Sequence, residues 1–322
     1  MNIIIPVAGE GTRLRPLTHT TPKSLLYVAG KPILGHILDS FLKLPVKKLV
    51  IVLGAQAKAI IEFCRRYPFR TEYVYQKKRL GLGHAIYTGA RGLTGRTMVL
   101  LGDTIIDCNY RRFTSSAENL LAVKAVDDPQ RFGVVETRGR KVTGLVEKPS
   151  HPKSNLAITG LYLFQNIEKV RRAIALLMKK GRKTRGEYQL TDGLKYLHEQ
   201  GEDFRTFKID KWYDCGTAAA LIQTNRFLLK KMHHSKPRKR TIIIPPVFID
   251  DSARIENALI GPYVSIAEHA VVKNALVHDS IINREAAIEN ALVAESIVGN
   301  GSRVTGGFKK LNVSDSSLVE IP

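Results

Sequence analysis

Residues 2–26 read NIIIPVAGEGTRLRPLTHTTPKSLL. The opening NIIIPV is a short apolar run that stops at Gly9, a pattern that predicts a buried strand running into a glycine turn. The segment after it carries Arg13, Arg15 and Lys23, with Glu10 as its only acid. A plain turn does not need that many cations, whereas a loop folded around a polyanion does. Two familiar phosphate loops do not fit. The dinucleotide fingerprint needs a third glycine where Leu14 stands, and the P-loop needs a glycine where Pro22 precedes Lys23-Ser24. What remains is a glycine turn at the carboxyl end of a strand. Gly9 and Gly11 let backbone N–H groups approach an anion, and Arg13 and Lys23 add mobile charge.

Outward from that turn the chain alternates. Pro32 opens a helical pattern with Ile33, Leu34, Ile37, Leu38, Phe41 and Leu42 on one face. Strand KLVIVLG precedes helix AKAIIEFCRRY, strand EYVYQ precedes helix HAIYTGARGL, and TMVLLGD is a fourth strand. Further strands are LLAVKAV, FGVVE, VTGLVEKP and AITGLYLF, with helices near 167–180, 188–200 and 217–231. This order predicts an α/β domain with a Rossmann-like mixed, mostly parallel sheet covered by helices on both faces.

The charge is large and uneven. There are 50 basic and 29 acidic residues, a net +21. Residues 241–322 hold 6 basic and 10 acidic residues, so the first 240 hold 44 and 19, a balance of +25. The split argues for two domains and for anionic partners of the first, among them nucleotides and sugar phosphates. A solvated basic surface accounts for the excess equally well. The 226–240 stretch RFLLKKMHHSKPRKR has seven cations, no acid and Pro237, and reads as a helix end passing into a linker. The division expected is 1–232 catalytic, 233–240 basic linker and 241–322 repeat domain. Three scattered cysteines, no signal-like start and no apolar run near the roughly 18 residues of a membrane span point to a reduced, cytoplasmic setting.

After Thr241 aliphatics recur at Ile249, Ile255, Ile260, Ile266, Val272, Val277, Ile282, Ile288, Val293, Val298 and Val304, a mean step of 5.5. The strings IENALI, VKNALV and IENALV begin at 255, 272 and 288, three short steps apart each time. Neither a helix nor a single strand has that period. A triangular coil with one inward aliphatic per side does, which predicts a short hexapeptide-type parallel β-helix.

Two strand-end aspartates complete the chemistry. Asp103 ends LLGD and Asp214 lies in KWYDCGT, each beside a glycine. Either could be a helix cap. Together at one triphosphate site they form a hard oxygen pair suited to Mg²⁺. His84 reads as a packing or polar-contact residue rather than a base, His233-His234 as linker, Tyr188 and Asp192 as helix-fixing residues, and Cys215 as a small packing residue.

The ordered set AGEGTRLRPLTHTTPKSLL, Q…GLGHA, LGD, FGVVE, EKP, TGLYLF, GEYQLTD and WYDCGT resembles the sugar-1-phosphate nucleotidylyltransferases, in particular long-form glucose-1-phosphate thymidylyltransferases and related uridylyltransferases. The likeness covers residues 1 to about 230, and the tail resembles that group's left-handed β-helix extension. It implies transfer of a nucleotidyl group from dTTP or UTP to a sugar 1-phosphate, glucose 1-phosphate favoured, with Mg²⁺ and release of pyrophosphate. It further implies that Ala8, Gly9, Gly11, Thr12, Gln76 and Gly81 hold the nucleotide and that Gly133, Glu147 and Thr159 line the sugar pocket. Arg13, Lys23 and Lys148 would bind the phosphates, and Asp103 and Asp214 the metal. Two departures stand out. Glu10 replaces a small residue common in relatives and adds a charge near the phosphates. Ala267 and Asn283 stand where the coil corners usually have glycine, which predicts an irregular helix. A homo-oligomer is expected, with no membrane and no nucleic acid as partner. The alternatives are a tail that transfers acyl groups, with His269 and His278 as bases, and a non-catalytic nucleic-acid-binding relative.

Overall fold

The structure, a computed structural model, describes residues 1–306. It divides into two compact units, Met1–Leu26 with Lys31–Leu221, and Tyr27–Gly30 with the chain from Ile222 onward.

The first unit is built on β1 (Asn2–Pro6), β2 (Lys48–Leu53), β3 (Thr71–Tyr75), β4 (Thr97–Leu100), β5 (Thr104–Asp107), β6 (Leu120–Ala125), β7 (Gly133–Arg138), β8 (Lys141–Glu147), β9 (Leu156–Phe164), β10 (Arg205–Lys208) and β11 (Lys211–Asp214). Nine of them form one sheet in the order β3-β2-β1-β4-β9-β6-β10-β8-β7. Pairs β3–β2, β2–β1, β1–β4 and β6–β10 are parallel, and the other four neighbouring pairs are antiparallel. The sheet is therefore mixed in equal halves rather than mostly parallel. The β7–β8 hairpin and the long β9 reverse direction where no helix intervenes to carry the chain back.

The parallel half reads as unbroken apolar runs because both faces are covered. Ile3, Ile4 and Ile5 of β1 are all fully buried, as are Met98, Val99 and Leu100 of β4. Ile4, Val52 and Val99 share one apolar cluster with Ala85 and Ile86 of α3 (Leu82–Gly89), Val170 and Ile174 of α5 (Ile167–Lys179), and Leu190 and Leu194 of α6 (Leu190–Glu199). The first helix, α1 (Ile33–Asp39), is shorter than its periodicity suggests. Phe41 is buried beyond its end, but Leu42 is half exposed, so it leaves the expected face.

The chain leaves β1 for β2 on one side and returns from β3 to β4 on the other. Open α/β sheets bind ligands at the strand carboxyl ends at such a reversal. Beside it, β5 and β11 form a separate antiparallel ribbon with Asp214 opposite Thr104.

The second unit stacks short parallel strands in three columns. One holds Thr241–Ile243, 258–260, 275–277 and Leu292–Ala294. Another holds Val247–Ile249, Val264–Ile266, Ile281–Ile282 and Ile297–Val298. The third holds 254–256, 271–273, Ala287–Glu289 and Arg303–Thr305. The aliphatics of the 5.5-residue period point inward into one cluster. Left-handed backbone occurs at Asn257, Asn274 and Asn290, at Tyr263, Asp279 and Glu295, and at His269, Glu285 and Gly301. Ala267 and Asn283 do not occupy corners. They lie in register, each donating its N–H to the coil ahead, at Ile282 and Val298, and the coils are regular. Non-glycine corners cost about 1–2 kcal/mol each. An asparagine stack offsets part of this, with Asn257 Nδ2 donating to Asn274 Oδ1 (2.7 Å) and Asn274 Nδ2 to Asn290 Oδ1 (3.0 Å).

The cations of 226–240 have partners within this unit. Arg226 pairs with Asp279, Lys236 with Asp251 and Lys239 with Glu256, and Arg238 donates to the Asp250 carbonyl. His234 is bonded through its backbone to Val247 and Ile249, as an added rung beside Phe248. Among the described residues no helix is long and apolar enough to cross a membrane.

Candidate active site

A cavity of about 420 Å³ opens at the carboxyl ends of β1 and β4. One wall is the turn Val7–Thr12, a second is Gln76, Arg79 and Gly81 after β3, and a third is Leu101–Asp103 after β4, with Lys23 and Glu187 completing the rim. Several glycines make this possible. Gly11 sits at φ 65°, ψ 37°, and a Cβ there would press on Lys23 and Thr18 at 3.0 Å. Gly102 lies against Val7 and donates to the Pro6 carbonyl (3.2 Å), which draws the β4 loop onto the β1 loop. Among the described residues beyond its two neighbours, no heavy atom lies within 4 Å of where a Cβ on Gly9 would stand, so that side of its backbone is open.

The charged groups converge. Lys23 Nζ is paired with Asp103 Oδ2. Asp103 accepts the Cys215 N–H through its carbonyl (3.0 Å), and the β5–β11 ribbon thereby brings Asp214 to the same place. Burial and the Asp103 charge push the Asp214 carboxyl above its usual range, while Lys23, Arg13 and Arg131 pull it back. A Cβ on Gly216 would meet the Arg13 guanidinium and the Asp214 carboxylate, each at 3.1 Å. So Arg13, Lys23, Asp103 and Asp214 form one cluster.

Gln76 is buried, and its amide nitrogen bonds the Gly81 carbonyl (3.1 Å) and His84 Nδ1 (3.0 Å). The Gly81 carbonyl can only accept, which fixes the amide's orientation. Oε1 is left without a partner among the described residues. Burial lowers the His84 pKa and keeps the ring neutral, with Nδ1 accepting and the proton on Nε2.

The predicted sugar residues lie at the antiparallel half. Gly133 opens β7 opposite Glu147 at the end of β8. A Cβ on Gly133 would press on the Thr191 hydroxyl at 2.5 Å and the Glu147 carboxylate at 3.0 Å, so glycine leaves room for both where they stand. Glu147 is buried and contacts Lys148 Nζ at 3.4 Å. Lys148 adopts φ 44°, unusual for a non-glycine residue. Its N–H donates to the Phe132 carbonyl (2.9 Å), and its carbonyl accepts from Arg185 (3.2 Å). Thr159 is buried in β9 and donates to the Ala122 carbonyl (3.0 Å). Next to it, Gly160 accepts the Leu101 N–H (3.1 Å) and so ties this half to the Asp103 loop.

The nucleotidyl transferase family model matches residues 2–231. The chain belongs to that family. This transferase is 31% identical over 322 residues to a glucose-1-phosphate thymidylyltransferase of Streptomyces griseus, covering 89% of this chain and 88% of that protein. It is 35% identical over 277 residues to the bifunctional protein GlmU of Methanococcus maripaludis, covering 85% of this chain and 62% of that longer protein. A crystal structure of a putative glucose-1-phosphate thymidylyltransferase from Bacillus anthracis superposes with a TM-score of 0.63 at 29% identity, over 73% of this chain and 98% of that one. UDP-glucose pyrophosphorylase complexed with UDP-glucose superposes with a TM-score of 0.62 at 25% identity, over 71% and 98%.

Two cations near the candidate site were missed by sequence reasoning. Arg131 stacks its guanidinium on Phe132 (5.4 Å), which packs edge-on against Trp212 (5.0 Å), and its charge reaches Asp214. Arg185 stands at φ 52° against Lys148. The signals were a cation directly before FGVV and another directly before GEYQLTD. His84 is the orienting partner of Gln76. The cysteines are inert. Cys215 is fully buried, and burial pushes the Cys64 and Cys108 thiols up to about 12.

Proposed function

We propose that the chain joins a pyrimidine nucleoside triphosphate, UTP or dTTP, to a sugar 1-phosphate, giving an NDP-sugar and pyrophosphate. The observation that carries this reading is the convergence of Arg13, Lys23, Asp103 and Asp214 on a glycine turn beside a base-sized cavity. The sugar phosphate is already ionised at neutral pH, so its oxygen can attack the α-phosphorus without a catalytic base. The task left to the protein is to bring two polyanions into line and neutralise charge on the transferring group. In-line positioning alone can supply roughly 7–11 kcal/mol of the barrier.

In this reading Ala8, Gly9, Gly11 and Thr12 wrap the triphosphate, and Arg13 and Lys23 draw the pyrophosphate away. Lys148, held in its left-handed conformation, meets the sugar phosphate with Arg131 and Arg185 nearby. Glu147 accepts sugar hydroxyls in a pocket shaped by Gly133 and Thr159, with glucose favoured. The two carboxylates fit a hard divalent cation: they repel each other, and one is largely desolvated. Asp103 and Asp214 would hold Mg²⁺, which would supply further neutralisation of phosphate charge and leave the Lys23 ammonium to the phosphates.

The free Oε1 of Gln76 suits the N3–H of uracil or thymine, with Gly81 beside the base. Cytosine presents an acceptor at N3 and leaves that oxygen unpaired, at a cost of about 1–3 kcal/mol. Pyrophosphate release measured across five NTPs and several sugar 1-phosphates tests this. UTP or dTTP should exceed CTP by at least tenfold, and equal turnover of CTP would contradict the base reading.

The second unit we read as a left-handed β-helix that assembles copies of the chain in the cytoplasm. Ile242, Leu259, Leu276 and Leu292 stack in register on the outward side of one column, and Leu292 is 75% exposed. The likeness to a bifunctional relative supports a second reading, in which this unit transfers acyl groups. Release of CoA from acetyl-CoA with an amino-sugar phosphate would establish it, and no release would remove it.

A further inference from the structure

The triphosphate cavity contains a misplaced charge. Glu10 stands between Gly9 and Gly11, the glycines that open the turn to phosphates, and it lines the cavity itself. A carboxylate there opposes every phosphate that enters. Repulsion between like charges grows as the surroundings become less polar than water.

The structure shows where that charge goes. Glu10 Oε1 is paired with Arg79, and its other oxygen, Oε2, lies 3.8 Å from Arg15. Glu10 belongs to the loop after β1, and Arg79 to the loop after β3. Both residues line the cavity. The ion pair therefore bridges the phosphate wall and the base wall. All three side chains are substantially exposed, at 39% for Glu10, 59% for Arg79 and 53% for Arg15. Exposed pairs of this kind add little to fold stability. A stability role does not account for an acid at this position, whereas a role in the field felt by the nucleotide does.

We propose that Arg79 is a positioning residue for the nucleoside triphosphate, acting by masking Glu10 and not by binding phosphate itself. The inference rests on the function proposed above. With Arg79 in place the Glu10 carboxylate is half of a dipole, and the triphosphate meets the field of Arg13 and Lys23. Without Arg79 the carboxylate keeps only its longer contact to Arg15 and faces the phosphates largely unmasked.

The two roles for Arg79 separate in a double-variant cycle read by calorimetric binding of UTP or dTTP to the full chain, and by the KM for the NTP. Arg79→Ala should weaken nucleotide binding about tenfold, and the loss should shrink at high salt. Arg79→Lys should keep most of the affinity. Glu10→Gln in the Arg79→Ala background should restore affinity to within about threefold of the parent, and the KM for the sugar phosphate should not follow these changes. If the double variant binds as weakly as Arg79→Ala alone, Arg79 contacts the phosphates directly and the masking role is wrong. If the parent protein binds no NTP, the functional reading falls and the inference falls with it. An unrescued double variant in a nucleotide-binding protein overturns only the inference. Thermal melts of all variants should coincide, because none of these side chains is buried.

Discussion

His84 Nδ1 lies 3.0 Å from the Gln76 amide nitrogen and, with the Gly81 carbonyl that fixes the amide's orientation, holds the glutamine in place. A protonated ring would present an N–H to the amide N–H₂ and break the arrangement. Burial sets the folded His84 pKa below its ordinary 6.5, so the neutral ring is the native form. Its contribution is present above the unfolded value and is lost as pH falls through the lower folded one. The KM for the NTP should therefore rise on acidification below pH 6.5. In His84→Leu it should be about fivefold higher at neutral pH, the worth of one hydrogen bond of about 1 kcal/mol, with a flatter acid limb. An acid limb identical in both proteins would disprove the orienting role. At this scale the sequence placed Lys23, Gln76 and Asp103 around the cavity, because each stands in a local motif at or after a strand end. It gave only weak local signals for Arg131 and Arg185, whose positions depend on contacts distant in sequence: the packing of Phe132 on Trp212 and the Lys148 carbonyl that accepts from Arg185.

Elements were legible in proportion to how locally they are determined. The parallel half of the first sheet follows from strand–helix alternation, and β1, β2 and β4 lie where apolar runs end in glycine. The antiparallel half did not, because pairing β9 between β4 and β6 is a long-range choice that no run of residues encodes. In the second unit the inward period was readable, but the corners were not. Apart from Gly301 they fall at Asn, Tyr, Asp, His and Glu, which a glycine search passes over. The asparagine stack explains how that is sustained and makes an energetic claim. Asn274→Ala removes two side-chain hydrogen bonds and leaves a Cβ at φ 47° with no local polar compensation. Thermal denaturation should show a loss of about 1–3 kcal/mol, larger than that of Asn274→Gly, which is free to adopt the left-handed backbone. Equal losses would show that conformation plays no part.

At the scale of the whole molecule, the excess of +25 on the first 240 residues and the deficit of −4 beyond them pointed to two regions with different partners. Part of that contrast is used internally. Cations of 226–240 pair with Asp251, Glu256 and Asp279 in the second unit. Outward-facing Ile242 and Leu292 have no such use, and the proposed assembly gives them one. Leu292→Glu should shift the protein to a smaller species in sedimentation velocity while nucleotide transfer persists. A parent that already sediments as a monomer would end that proposal.

The central claim is that one edge of the first sheet gathers cations and a divalent ion so that two anionic substrates can react. The measurement closest to it is pyrophosphate release from UTP or dTTP with glucose 1-phosphate and Mg²⁺, in the parent and in Asp103→Asn, Asp214→Asn and Lys23→Ala. The account predicts release that requires both substrates and the metal, matched mole for mole by NDP-sugar, and reduced at least a hundredfold in each variant. Full turnover in all three variants, or in the parent without a divalent ion, would contradict it.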